Sequence, residues 1–133
     1  MKKSILLLFV LVLAVFTVAA CSPAASSNTA SVQVISPNQY VSDFSQPQTA
    51  HLLVDVRTPE EYETGHIAGS VNIPLQELSS RMSEIPTNQP VVIYCRSGNR
   101  SAQAADLLKN AGYSQLYDLG GIIAWAASGL PVQ

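Results

Sequence analysis

The stretch Val91-Val92-Ile93-Tyr94 is apolar at every position and runs directly into Cys95. A strand with one face in water alternates apolar and polar residues. A strand that does not alternate is buried on both faces, as in a parallel sheet covered by helices. The rest of the chain fits that frame. Val32 to Ile35, His51 to Val56, Val71 to Ile73 and Leu116 to Leu119 read as further short strands. Helix starts lie between them. Ser36-Pro37 pairs an N-cap serine with proline at the first helical position, and that helix is expected to reach about Phe44. Thr58-Pro59-Glu60-Glu61 repeats the pattern with acids in the first turn, and Gly65 ends it. Pro74 is expected to open a helix through about Glu84 with Leu75, Leu78 and Met82 on one apolar face. Ser101 to Asn110 reads as a helix with Ala102, Ala105 and Leu108 on one side and Gly112 near its C-cap. Gly120-Gly121 leads into a short helix through Trp125. The alternation predicts a single α/β domain over residues 32–133, with a mainly parallel central sheet and helices on both faces.

The beginning of the chain has a different character. Lys2 and Lys3 precede the charge-free run Ile5 to Ala20, the order of a secretory signal over residues 1–20. The run is shorter than the roughly 20 residues a spanning helix needs. Val18-Ala19-Ala20-Cys21 resembles a bacterial lipobox. That resemblance implies an exported protein with lipid on the Cys21 sulfur, anchored to the cell envelope on the periplasmic or other extracytoplasmic face of a bacterial membrane. Residues 21–31, uncharged and rich in Ser and Ala, read as a flexible tether. Taking Lys2 and Lys3 from the net charge of −2 leaves −4. A body of that charge offers no footprint for nucleic acid and no basic patch for anionic lipid, so the N-terminal lipid is the membrane contact. The chain has 2 cysteines. With Cys21 acylated, Cys95 is the sole thiol and no internal disulfide can form.

Cys95-Arg96-Ser97-Gly98-Asn99-Arg100-Ser101 joins a strand to a helix. Gly98 and Asn99 tolerate the left-handed backbone that such a tight turn demands. Inward N–H groups would form an anion-binding nest, with the positive helix end behind them and Arg96 and Arg100 beside them. All of these favour negative charge, first on the Cys95 sulfur and then on an anionic substrate. A glycine turn carrying a passenger cysteine would leave the two arginines unexplained. Cys95 and Asp55 both end strands, and ligands of open α/β sheets bind at the carboxyl ends of the strands. Cys95 is thus the candidate nucleophile, and Arg96, Ser97, Gly98, Asn99 and Arg100 are the candidate substrate-binding residues.

This loop resembles the active-site loop of rhodaneses. Asp55-Val56-Arg57, Glu61-Tyr62, Gly65-His66-Ile67, Gly69-Ser70 and Ile73-Pro74 are similar to the N-terminal signature of that family. Leu119-Gly120-Gly121, Trp125 and Gly129-Leu130-Pro131 are similar to its C-terminal signature. Signal and single domain together most resemble the exported, phage-shock type. The resemblance implies a thiosulfate:acceptor sulfurtransferase. Cys95 would take sulfur from thiosulfate or another sulfane-sulfur donor as a persulfide and pass it to a thiol or to cyanide, with no metal or organic cofactor. It also implies that Asp55 and Arg57 form a charge pair supporting the site, which Glu61 would complete. Ser101 would cap the helix or hydrogen-bond the sulfur. His66 is expected to be structural rather than a general base, His51 has no evident partner, and Trp125 is expected in the core. Three other activities remain open: a phosphatase or arsenate reductase sharing the fold, a sulfur carrier loaded by a partner, and a thiol redox sensor. Only four residues separate Cys95 from Arg100, and Tyr94 precedes the cysteine; both favour sulfur over a larger oxyanion.

Overall fold

The computed structural model describes residues 30–133. The expected signal, the lipidation at Cys21 and nearly all of the tether lie outside the described residues. Five strands form one sheet in the order β1-β5-β4-β2-β3, all neighbours parallel: β1 Ser31–Val34, β2 Leu52–Asp55, β3 Val71–Asn72, β4 Val91–Cys95 and β5 Gln115–Gly121. The expected strands are all present. Ser31, assigned to the tether, is the first residue of β1 and pairs with Gln115.

β4 is buried along its whole length and splits the core by alternation. Val91, Ile93 and Cys95 pack on one face with Ala104, Ala105 and Leu108 of helix α3 (Asn99–Asn110). Val92 and Tyr94 pack on the other with Tyr40, Phe44 and Trp125. Tyr40 belongs to α1 (Pro37–Tyr40), which continues as a π-helical turn, Val41–Ser45. Trp125 belongs to α4 (Ile122–Ala127), and α2 (Pro59–Glu63) follows β2. Ser36 and Thr58 each complete a capping box, with Gln39 and Glu61, so two orphan amides at each helix start are satisfied locally.

Two expectations are corrected. Ala102 is exposed, and the buried face of α3 is Ser101, Ala104, Ala105 and Leu108. The helix expected from Pro74 to Glu84 does not form. The segment is a run of turns ending in a single 3₁₀ turn, Met82–Glu84. Its bonds span mainly three residues, among them Glu77 N to Pro74 O (2.8 Å) and Leu78 N to Leu75 O (3.3 Å). Ser80 Oγ donates to Glu77 O at 2.8 Å, competing for a carbonyl a helix would use. Leu75 N is meanwhile tied to Val56 O at 3.1 Å, so the chain follows the sheet edge while Leu78 enters the core.

Candidate active site

The alternation of β4 delivers Cys95 to the face covered by α3, with its side chain almost fully buried. Gly98 then takes φ +106°, a left-handed angle that glycine accepts without steric cost. The chain reverses within that residue and α3 begins at Asn99, two residues earlier than its expected start at Ser101. The reversal aims the Gly98 N–H at the Cys95 sulfur, N···Sγ 3.0 Å. Ser101 lies in the first turn of α3, whose start has no side-chain cap hydrogen bond. Its hydroxyl donates to Gly98 O (2.9 Å) at the helix start, and its oxygen lies 3.8 Å from Sγ, as an acceptor for the thiol.

β5 supplies the opposite wall. Its register against β4 slips between Ile93↔Asp118 and Tyr94↔Gly120, leaving Leu119 as a bulge. Asp118 Oδ1 accepts from Gly120 N (2.9 Å) and holds the bend. The bulge sets Gly121 opposite Cys95. A Cβ at Gly121 would lie 2.6 Å from Ser97 Cα and closer still to Arg96 O. Only glycine lets β5 approach the loop this closely. Ile123 N, in the first turn of α4, then donates to Arg96 O at 3.3 Å.

The charged residues resolve into separate arrangements. Asp55 and Arg57 are a buried pair, with Nη2 on Oδ2 at 2.6 Å and Nε within 3.0 Å of both carboxylate oxygens. Arg57 Nη2 also donates to Gly65 O (2.7 Å), and its guanidinium lies 5.8 Å from the centre of the Tyr94 ring. The pair therefore braces the β2–α2 turn and the residue before the cysteine. Glu61 does not join this pair. It takes both terminal nitrogens of Arg100, at 2.6 and 2.8 Å, and accepts from Thr58 N at 3.1 Å. The Arg100 hydrogen bonds hold the Glu61 carboxyl down at about 2, and Glu61 in turn raises Arg100. Arg96 and Ser97 are exposed, and Arg96 is the one cation without an ion pair among the described residues. Asn99 is exposed too, its side chain engaged by Gln103 on the surface of α3. Among the described residues no three His, Cys, Asp or Glu side chains converge as metal ligands.

A small, glycine-walled loop around one buried thiol, at the carboxyl end of a parallel sheet, is the geometry to set beside known proteins. The rhodanese-like domain matches residues 36–128. This chain belongs to the rhodanese-like domain family. The rhodanese-like chain is 52% identical over 82 residues to a sulfurtransferase of Allochromatium vinosum, covering 61% of this chain and 77% of that protein. It is 39% identical over 82 residues to the thiosulfate sulfurtransferase PspE of Escherichia coli, covering 59% and 79% respectively. The fold superposes on the crystal structure of a rhodanese-related protein from Thermoplasma volcanium with TM-score 0.68 at 32% identity, covering 76% of this chain and 97% of that one.

Within this rhodanese-like domain several supporting groups were not singled out from the sequence. Asn72 Nδ2 donates to both Asp55 O and Arg57 O at 3.0 Å, locking the turn that carries the buried pair. The Tyr94 hydroxyl accepts from Ile67 N (3.1 Å) and pairs with Ser70 Oγ (3.0 Å), and burial pushes its phenol up. The isolated polar residues Asn72 and Ser70, next to apolar strand positions, were the available signal. His66 stacks on Tyr62, centroids 4.0 Å apart, with Nδ1 at 3.2 Å from Tyr62 O. His51 has the partner that the sequence did not reveal, the Tyr40 hydroxyl at 2.8 Å from Nε2. Trp125 is in the core, its Nε1 donating to Pro131 O at 2.9 Å.

Proposed function

We propose that the chain is a thiosulfate:acceptor sulfurtransferase of the exported, phage-shock type, working through a persulfide on Cys95. The observation that carries this reading is the Gly98 N–H aimed at the Cys95 sulfur at 3.0 Å, with the unpaired Arg96 beside it. The Cys95 thiolate forms a bond to the outer sulfur of thiosulfate. The S–S bond of the donor breaks, and sulfite leaves with its electron pair. A thiolate or cyanide then attacks the outer sulfur of the persulfide and frees Cys95, a two-stage covalent cycle with ping-pong kinetics. The loop N–H groups stabilise the sulfur anion in both stages, and Arg96 steers the incoming dianion. Arg100 takes a different part from the one its sequence position suggests. Its fork is filled by Glu61, so it holds the loop and does not grip substrate.

That same filled fork weighs against phosphate or arsenate as the natural substrate. A tetrahedral oxyanion is gripped by two parallel N–H donors of a free guanidinium. The two activities are separated by incubating the protein with thiosulfate and cyanide, and separately with an aryl phosphate. Thiocyanate is expected, together with one extra sulfur atom on Cys95 in the mass spectrum of the donor-loaded protein. Phosphate release without thiocyanate would sink the assignment, and loading only when a partner protein is present would make the chain a carrier.

Membrane attachment through Cys21 belongs to the same proposal. The lipobox-like Val18-Ala19-Ala20-Cys21 and the lack of a basic surface composition support it. Cys21→Ala is expected to move the protein from the membrane to the soluble fraction of the cell envelope. Unchanged retention would count against lipidation.

A further inference from the structure

Asp118 is 7% exposed and forms no ion pair among the described residues. A carboxylate taken out of water without a cation destabilises a fold unless hydrogen bonds satisfy it. Asp55 and Arg57, also buried, answer each other. Asp118 has instead the Gly120 N–H, which donates to its Oδ1 at 2.9 Å. Its backbone is pinned from both sides. Asp118 O accepts from Ile35 N at 2.9 Å, and the residue pairs with Val34 of β1 and Ile93 of β4. Asp118 is thus the last position of β5 before its register against β4 slips.

The bend after Asp118 is where β5 meets the cysteine loop. Without a slip, Leu119 would stand opposite Tyr94 and Gly120 opposite Cys95. Instead Leu119 is left over, packed with Val92 and Tyr94, and Gly120 turns to φ +78°. Gly120 then backs the loop in two places. Its Cα and carbonyl carbon lie 3.7 and 3.9 Å from where a Gly98 Cβ would be, behind the residue whose N–H reaches Sγ. Its carbonyl oxygen accepts from Ser101 Oγ at 3.3 Å, and Ser101 Oγ lies 3.8 Å from Sγ. Both groups that contact the sulfur are therefore held against Gly120, and Gly120 is held by Asp118.

We infer that Asp118 is a positioning residue for sulfur transfer, its carboxylate fixing the bulge that sets Gly120 behind Gly98 and Ser101. The inference rests on the sulfurtransferase reading and adds to it a residue that acts through Gly120. With the acceptor gone, the Gly120 N–H loses its partner and the bulge relaxes toward the regular register. Gly120 then withdraws from Gly98 and Ser101, and the two groups at the sulfur lose their fixed aim. The loss falls on the step that makes and breaks bonds to sulfur rather than on capture of the donor.

The test measures kcat and KM for thiosulfate, with thermal melts, in the full chain and in its Asp118→Ala, Asp118→Val and Asp118→Asn variants. Kinetics are taken well below each variant's Tm. Alanine and valine remove the acceptor, and valine suits an extended strand should the alanine variant not fold. Either is expected to lower kcat about tenfold with KM kept within about twofold. Asparagine keeps an oxygen that accepts from Gly120 N, and its kcat should stay within about threefold of the unaltered protein. A lower Tm with kcat unchanged would overturn the inference, as would failure of both apolar variants to fold, since Asp118 would then serve the fold alone. An equal loss of kcat in the asparagine and alanine variants would also overturn it, because the hydrogen bond would not be the cause. A rise in KM with kcat kept would place Asp118 at the donor and overturn it too. Absence of persulfide and of turnover in the unaltered protein would instead overturn the sulfurtransferase reading.

Discussion

Both terminal nitrogens of the Arg100 guanidinium are held by the Glu61 carboxylate, at 2.6 and 2.8 Å, across 39 residues of sequence. The contact ties the first turn of α2 to the first turn of α3, the two helices that flank the cysteine loop. It fixes where the loop sits, and it leaves Arg96 as the arginine without an ion pair among the described residues.

The pair makes stability depend on pH in the acid range. The Glu61 carboxyl lies at about 2 in the folded chain against an ordinary 4.5. A depressed carboxyl stabilises the fold fully above its ordinary value, and the contribution is lost as pH falls from about 4.5 toward about 2. Both side chains are partly exposed, so solvent screening limits the effect to about 1 kcal/mol. Glu61→Gln is expected to lower the Tm at neutral pH and to flatten its decline in acid. Parallel acid limbs in melts of the two proteins would refute the linkage.

Arg96 and Arg100 are expected to respond differently to substitution. Arg96→Gln should raise the KM for thiosulfate about tenfold and weaken its dependence on ionic strength, because the steering charge is removed. Arg100→Gln should chiefly lower the Tm. Steady-state kinetics at two salt concentrations, with thermal melts, decide between them. The reverse pattern would return substrate binding to Arg100.

Gly121→Ala tests the close approach of β5. The added methyl would meet the Arg96 and Ser97 backbone, which has no side-chain freedom to give way. Overpacking of this kind costs about 1–3 kcal/mol. The loop carrying Gly98 N should also shift, and sulfur transfer should fall at least about tenfold, the order that a misplaced catalytic donor costs. Urea unfolding and turnover measured together would expose an error, since a silent substitution means that the wall is softer than its geometry.

Asp55→Asn should be the most destabilising of these changes. It leaves the Arg57 guanidinium buried with only a neutral partner, and breaking such a pair costs about 3–5 kcal/mol. Equilibrium denaturation measures this directly. A loss below about 1 kcal/mol would mean that water reaches Arg57 in solution.

Cys95→Ser should keep the fold, because the side chain is nearly isosteric and faces the Gly98 N–H and the Ser101 hydroxyl. Uptake of sulfur from any donor should vanish. Residual persulfide in the mass spectrum of a native-like variant would place the chemistry elsewhere.

The parts of this protein that could be read in its sequence are those set by local rules. The unbroken apolar run of β4, the capping boxes at Ser36 and Thr58, and the reversal at Gly98 each depend on a few adjacent residues, and each is present. The misread segment at 74–84 shows the limit. Leu75, Leu78 and Met82 have helical spacing, yet the backbone is drawn along β2 by the bond from Leu75 N to Val56 O, and turns suffice to bury Leu78. Spacing reports which side chains go inward and not which backbone takes them there.

The sequence by itself determined the order of the five strands along the chain, the burial of β4 on both faces, and the thiol at its carboxyl end with a glycine turn after it. Those features follow from periodicity, capping and left-handed backbone angles, which act over a few residues. Tertiary structure decided the rest: that Glu61 occupies Arg100, that a bulge at Leu119 brings Gly121 against the loop, and that Val132 is set against Gly65. Each joins residues far apart in the chain, and only packing of the sheet and its helices brings them within reach of one another.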